Sequence, residues 1–379
     1  MLLAVSAALA AAPLAARAQA RFETSAKYAF LVDSRSGKAY YEKNADKLIP
    51  PASMSKLMTM AVIFELLRKG ALSEDDEFEI SEDAWRRGGA PSGSSTMYAR
   101  IGERIKVGTL IRAVIIASAN DAAIALAEGI AGSEDAFAAL MNKRARELGL
   151  TKSHFANATG LPDPKHRMTP RELAQLMRYI VEVFPDYFKL FSEHEFTWNK
   201  IRQFNRDPLL GKFPGADGGK TGHTREAGYG MVATAVRDGR RLIAVIGGMK
   251  SKKERAREVR KLLDWGFRQF RPVVLYGPGE TVGFARVWGG NESSLPLVTR
   301  DTIRARLSDE EKRSADAEIV YMAPLRAPLR RGDKVAKLRI RVDGKTIATY
   351  PLYAGKSVDP VDNMWSRAAD TLKFWIFGG

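Results

Sequence analysis

The 379-residue chain contains no cysteine, which excludes disulfides, thiol catalysis and thiolate metal sites together. Histidine is almost as scarce. His154, His166, His194 and His223 are the full set and form no H-x-x-x-H pair, so no zinc or iron centre is expected. No internal repeat or low-complexity tract occurs beyond an alanine-rich leader. Negative charge is also short: 44 acidic against 60 basic side chains leave a net charge of +16. Such a surplus attracts an anionic surface or polymer. Nucleic acid is set aside as a partner, because Lys and Arg are scattered along the whole chain and no nucleic-acid motif interleaves them.

What remains is ordinary globular composition, 45% hydrophobic and 27% charged, in a chain long enough for two or three domains. Residues 1–20 read as a secretory signal. The run "LLAVSAALAAAPLAARAQA" is apolar and closes on Ala18 and Ala20 in an A-x-A pattern before Arg21. No Lys or Arg precedes it, which fits a true start upstream of Met1. Export without cysteine suits a bacterial periplasm.

Two β-prone runs around "SRSG" predict a hairpin. Then Leu57, Met60, Phe64 and Leu67 step by three or four and Gly70 supplies a stop, which predicts a core helix with Ser53 at its N-terminal end. Ser133 and Gly149 bracket another helix. Thr169, Pro170 and Glu172 predict a capping box before "LAQLMRYIVEVF". "AGYGMVATAV" and "RLIAVIGG" flank "RDGR" and predict an antiparallel hairpin with Asp-Gly at its tip. Strands at both ends with helices between them imply an α/β layered domain over 21–270. After a helix ending near Phe270, short alternating runs predict a small all-β domain over 271–357. The last stretch, 358–379, places Met364, Trp365, Ala368, Leu372, Trp375 and Ile376 on one helical face. It is too short and too charged to span a bilayer. An amphipathic, tryptophan-bearing helix suits the membrane interface.

A serine hydroxyl is a weak nucleophile unless a base lies within reach. In "PASMSKLMT", Lys56 follows Ser53 by three residues, so the two share a helical face. S-x-x-K arises by chance about once or twice in a chain this long. Its weight comes from Ser118-Ala119-Asn120 and Lys220-Thr221-Gly222, which follow in order. The three motifs together resemble the active-site set of the penicillin-binding proteins and serine β-lactamases. The surrounding text, "PASMSKLMT", "SANDAAIALAE", "HFANATGLPD", "EFTWNKIRQFNRDPLL" and "ADGGKTGHTREAGYGMVATA", is similar to the D-alanyl-D-alanine carboxypeptidases among the low-molecular-mass penicillin-binding proteins. The resemblance runs from about Lys27 to the C-terminal helix.

It implies an antiparallel sheet with helices on both sides, followed by the β-domain and a terminal amphipathic helix. It also implies roles. Ser53 attacks the carbonyl between two D-alanines and Lys56 accepts its proton, which needs a lysine held neutral by burial and a nearby cation. Lys220 is expected to be that cation. Ser118 passes a proton to the leaving amine, and Asn120 orients Lys56 and a substrate amide. The family pattern implies an oxyanion hole from the backbone N–H groups of Ser53 and His223. Thr221, with Lys220 and Thr224, would hold the substrate's terminal carboxylate, and Arg255 aligns loosely with a family arginine near it. Gly222 and His223 complete the substrate-binding stretch. Ser55 is read as local packing, and a small residue at Ala119 as tolerated.

The function these residues imply is a periplasmic serine carboxypeptidase acting on peptidoglycan stem pentapeptides, held at the inner-membrane surface by its C-terminal helix and inhibited by β-lactams. No cofactor is implied. Whether the helix also pairs two copies as a homodimer is left open. A phosphate-loop reading of "GADGGKTG" fails because Pro214 stands where the leading glycine is needed. A β-lactamase is the closer rival, since Glu195 and Asn199 have the spacing of a deacylating pair. A wall-binding scaffold without catalysis is the third reading, opposed by the intact nucleophile and base.

Overall fold

Five strands alternate inward and outward residues and pair antiparallel in the order Ala39–Lys43, Tyr28–Asp33, Arg240–Met249, Gly228–Arg237 and Ala216–Thr224. The period of two gives this sheet two buried faces. Phe30, Val32, Ile243 and Val245 point into the large helical core. On the other face Leu31 and Leu242 meet the helix Lys252–Gln269 at Gly266, where a Cβ would stand 2.5 Å from Leu31 Cδ2 and 2.9 Å from Leu242 Cδ1. Helices thus cover both sides, as expected. The predicted hairpin tip is present, with Asp238 and Gly239 at φ 51° and 67°, the left-handed pair a tight hairpin turn requires.

The computed structural model describes residues 2–7, 22–270 and 272–361. It separates into two compact units, Arg21–Phe267 and a second gathering Arg268 onward with the start of the chain. The helix Lys56–Arg68 runs through the core of the first unit. The stripe Leu57, Met60, Phe64, Leu67 is only part of its buried surface, because Met58, Ala61 and Ile63 are buried as well. Strict amphipathic periodicity therefore understates a helix enclosed on every side. Ser133 caps Glu134–Glu147 by accepting from Ala136 N at 3.1 Å. Thr169 caps Pro170–Val183 the same way, accepting from Glu172 N at 3.1 Å.

The capping box predicted there is only half made. The Glu172 carboxylate turns outward and accepts from Lys152 N at 2.8 Å and Ser153 Oγ at 2.6 Å. It ties down a neighbouring loop instead of the helix's first turn. The reciprocal box occurs where none was predicted, between Ser308 and Glu311.

The second unit has its own core, including Leu295, Leu297, Ile319, Leu338, Ile340 and Leu352. It is β-rich, as expected, and among its described residues carries one short helix, Asp309–Ser314. Leu2–Ala7, inside the segment read as a signal, lies antiparallel to Ala315–Met322 at a sheet edge. Of the segment read as an anchor, Val358 is fully buried and bridges to Leu329, and Pro360 bridges to Gly290. Residues 362–379, where the amphipathic helix is expected, lie outside the described residues. Among the described residues no helix is long and apolar enough to cross a membrane.

The loop around Asn157–Gly160 closes over the turn before the Lys56–Arg68 helix. Asn157 Oδ1 accepts from Thr159 N, Thr159 Oγ1 and Gly160 N at 3.2, 3.0 and 2.7 Å. Gly160 has φ +74°, and a Cβ there would stand 2.1 Å from Ala52 O. Neither the conformation nor the space admits a side chain. Gly160→Ala is expected to lower stability by about 2 kcal/mol or more, read as a drop in thermal midpoint; an unchanged midpoint would show that the loop yields freely.

Candidate active site

Each motif is held by a local irregularity. Ser53 lies in the 3-10 turn Ala52–Ser55, which feeds directly into the Lys56–Arg68 helix, and Ala52 opens it with φ 49°. Ser118 ends the π-turn Ala113–Ala117 in left-handed backbone, φ 60° and ψ 30°, before a new helix begins at Asn120. Non-glycine residues enter this region at a cost. The surrounding packing supports it, since Ala117 and Ala119 are buried. Lys220 and Thr221 lie on the edge strand Ala216–Thr224. Gly222 lets that strand reach the Ser53 turn, because a Cβ there would come within 2.8 Å of Pro51 O and 3.1 Å of Met54 Cγ.

The three motifs converge on one cleft of about 660 Å³, lined by Ser53, Ser118, Asn120, Thr221, Gly222, His223, Thr224 and Arg255 among others. Lys56 and Lys220 lie beneath it, 0% and 3% exposed. Lys56 Nζ stands 3.1 Å from Ser53 Oγ and donates to Asn120 Oδ1 at 2.6 Å and to Thr159 O. A neutral amine has two N–H donors and one lone pair. With both donors taken by Asn120 and Thr159, the lone pair faces the Ser53 hydroxyl. Asn120 Nδ2 in turn donates to Ser94 Oγ at 2.9 Å. Lys220 Nζ donates to Ser118 Oγ at 2.8 Å.

Electrostatics favour that neutral amine. Burial first, and the Arg206 guanidinium second, lower the Lys56 amine from 10.5 to about 7, against opposing pulls from Glu134 and Asp121. Arg206, which donates to Ser95 Oγ at 2.7 Å, is thus a cation acting on Lys56. Lys220, expected in this part, also repels the Lys56 amine from beneath the cleft. Burial, then Lys56, Arg206 and Arg255, push Lys220 itself well below the ordinary lysine value.

The sequence did not single out Arg206, Ser94, Ser95, Thr159, Gly160, Tyr229 or Lys252, which also belong to this site. Arg206, Thr159, Gly160 and Tyr229 lie within the stretches quoted for the family resemblance, but nothing in their spacing marks them. Tyr229 stacks on His223 with ring centroids 3.9 Å apart, and the Arg255 guanidinium sits 5.8 Å from the Tyr229 ring. Arg255 is buried, so it is not a solvated helix arginine. Ser55 is also buried and donates to Ala52 O at 3.0 Å, in keeping with local packing. The rival pair stays apart from the cleft: exposed Glu195 accepts from Arg202 Nε at 2.9 Å, and Asn199 Nδ2 donates to Tyr98 O at 3.1 Å.

A serine facing a buried neutral lysine, a second serine–lysine pair, and a sheet edge forming one wall define the serine–lysine class of acyl-transfer hydrolases. The sequence family described as D-alanyl-D-alanine carboxypeptidase matches residues 14–251, and the penicillin-binding protein 5 C-terminal domain matches 270–360. The chain belongs to the D-alanyl-D-alanine carboxypeptidase family and is a serine-type carboxypeptidase of that kind. It is 38% identical over 332 residues to the D-alanyl-D-alanine carboxypeptidase DacC of Escherichia coli, spanning 87% of this chain and 83% of that one. It is 35% identical over 339 residues to DacF of Bacillus subtilis, spanning 87% and 85%. Among solved structures, penicillin-binding protein 5 from Haemophilus influenzae superposes with a TM-score of 0.70 at 34% identity, covering 90% of this chain and 99% of that one.

Because Lys56 loses its proton near 7, turnover of a D-Ala-D-Ala peptide is expected to rise with pH through that value. Arg206→Gln removes a cation that disfavours protonation, so the rise should move to higher pH by up to about one unit. A pH–rate profile checks this, and a shift toward acid would contradict it.

Proposed function

We propose that the chain removes the terminal D-alanine from peptidoglycan stem pentapeptides through an acyl-enzyme on Ser53. The observation that carries the mechanism is the arrangement around Lys56, whose free valence faces the Ser53 hydroxyl. Ser53 Oγ attacks the carbonyl carbon between the two D-alanines while its proton passes to Lys56 Nζ. The backbone N–H groups of Ser53 and His223 stabilise the oxyanion. The C–N bond then breaks as Ser118, hydrogen-bonded to Lys220, delivers a proton to the departing amine and is reprotonated by the proton Lys56 took from Ser53, which returns Lys56 to its neutral form. Water hydrolyses the Ser53 ester and releases the shortened stem. Thr221, Thr224 and Arg255 receive the terminal carboxylate, which accounts for a requirement for a free C-terminus. Thr224 also accepts from Ala227 N at 3.0 Å and so shapes the turn beside that subsite.

A β-lactam presents the same carbonyl within a strained ring. After ring opening its nitrogen stays tethered, so the Ser53 ester persists and the enzyme is blocked. Penicillin-binding protein D2 of Listeria monocytogenes, 31% identical over a region covering 65% of this chain, is known in an ampicillin-bound form with a TM-score of 0.59. The β-lactamase reading is not favoured, because no carboxylate is among the residues lining the cleft. The same intact machinery speaks against a non-catalytic scaffold.

The cationic chain, the leader 1–20 and the C-terminal segment support a periplasmic enzyme docked on the anionic outer face of the cytoplasmic membrane. On this reading 21–270 is the catalytic domain, 271–357 a β-rich C-terminal domain and 358–379 the anchor. Deleting residues 359–379 is expected to release the protein from the membrane fraction of cells; retention there would sink the anchor.

Ser53→Ala removes the nucleophile with almost no change in volume. It is expected to abolish D-alanine release from a Lys-D-Ala-D-Ala peptide and covalent labelling by penicillin, at an unchanged thermal midpoint. Release that persists would refute Ser53 as nucleophile, and rapid penicillin hydrolysis by the parent enzyme would restore the β-lactamase reading.

A further inference from the structure

Where the chain passes on to residues 362–379, the second unit presents a cationic corner. Val358 and the residues after it are gripped between two turns. Leu329 N donates to Val358 O at 2.9 Å and Val358 N to Leu329 O at 2.8 Å, while Asn291 N donates to Asp359 O at 2.9 Å and Val361 N to Gly289 O at 3.0 Å. Gly290 makes room for this, since a Cβ there would stand 2.5 Å from Val358 Cγ1 and 3.3 Å from Ala327 Cβ. The stretch 326–331 therefore flanks the point where the C-terminal segment begins, and each further residue carries the chain at most about 3.5 Å.

Arg326, Arg330 and Arg331 are exposed there, with exposed Lys334 just beyond. The backbone of the loop is pinned: Arg330 N donates to Asp333 Oδ2 at 2.8 Å and Arg331 N to Ser357 Oγ at 3.0 Å. Its guanidiniums are not, for among the described residues none of the three has a carboxylate or hydrogen-bond partner. Other arginines of this unit are engaged. Arg341 forks onto Asp316 with two bonds of 2.9 Å, and Arg300 donates to Gly332 O at 3.2 Å and stacks 4.2 Å over the Tyr353 ring. Of the acidic neighbours, Glu292 is taken by Lys356, which leaves Asp333 and Asp359 against four cations. Mutual repulsion of such a group is unfavourable within the fold, and a guanidinium offers paired N–H donors that match a phosphate.

We propose that Arg326, Arg330 and Arg331 form a docking surface for the headgroup phosphates of anionic phospholipid, engaging the same membrane as the C-terminal segment beside them. This rests on the reading of that segment as a membrane anchor. Lipid is the occupant because the loop borders the segment whose apolar face carries Trp365 and Trp375. An interfacial helix gains from electrostatic attraction to anionic lipid, and a basic patch at its root supplies it.

The test is co-sedimentation of the full chain with phosphatidylcholine vesicles, with and without phosphatidylglycerol. The triple variant Arg326→Gln, Arg330→Gln, Arg331→Gln is expected to bind the phosphatidylglycerol vesicles about fivefold more weakly per arginine, on the order of 100-fold in all at low salt. Its binding to neutral vesicles and its D-alanine release from a soluble peptide should match the parent, and added salt should weaken the parent more than the variant. The control is Arg35→Gln, Lys47→Gln, Lys212→Gln, which removes three exposed cations from the first unit. An equal loss in that control would mean that net charge alone acts, and would overturn the proposal. So would a triple variant that binds as the parent does, or one that loses affinity for isolated cell wall instead of vesicles. Deleting 362–379 separates the two readings: a truncated chain that binds phosphatidylglycerol vesicles as tightly as the parent, and loses them on the triple change, refutes the anchor and upholds the arginine surface.

Discussion

The burial of one amine, Lys56, is the constraint on which the site depends. Lowering a lysine from 10.5 to about 7 corresponds to an unfavourable ~5 kcal/mol for its charged form at ~1.4 kcal/mol per pH unit. The folded value lies below the unfolded one, so the penalty is fully present below pH 7 and fades as pH rises toward 10.5. The chain sacrifices stability at neutral and acid pH to hold a readily neutral amine beside Ser53. Asn120, Thr159 O and the core around the Lys56–Arg68 helix all fit the neutral amine.

Holding that amine requires close approach of several backbones, and the residues that allow it are small or conformationally special. Gly160 brings the Thr159 carbonyl over the turn, and Gly222 brings the edge strand against it. Gly88 does the same behind Asn120, since a Cβ there would stand 2.3 Å from Asp121 N. Asp121 is itself buried, and it accepts from Thr96 Oγ1 and Met97 N at 2.5 and 3.0 Å. That anchors the segment carrying Ser94 and Ser95 beside the cleft. Left-handed backbone at Ser118 then turns its hydroxyl to Lys220. Local strain here is compensated by packing elsewhere.

The cleft is also strongly cationic. Arg206, Lys252 and Arg255 line it, above the buried amines of Lys56 and Lys220 whose charged forms are disfavoured. Such a field suits an anionic ligand, and it suppresses the protonation of its own lysines. Affinity for a carboxylate and availability of a neutral base thus come from one arrangement of charge.

Ser53 and Lys56 were legible in the sequence as neighbours on one helical turn, and Ser118, Asn120 and Lys220 through the motifs that carry the family resemblance. The hairpin tip at Asp238-Gly239, the caps at Ser133 and Thr169 and the change to β-rich text after Phe270 were legible for the same reason: each is decided by interactions within a few residues. The direction of the Glu172 side chain was not, because loop contacts at Lys152 and Ser153 outcompeted the helix end. Nor was the part of Arg206 as a cation acting on Lys56, or the burial of Arg255. Those depend on which loops fold across the sheet edge, and the electric field at a buried atom is a sum over groups far apart in the chain. The order of residues determined which side chains the cleft brings together; only tertiary packing decided which of them would be charged.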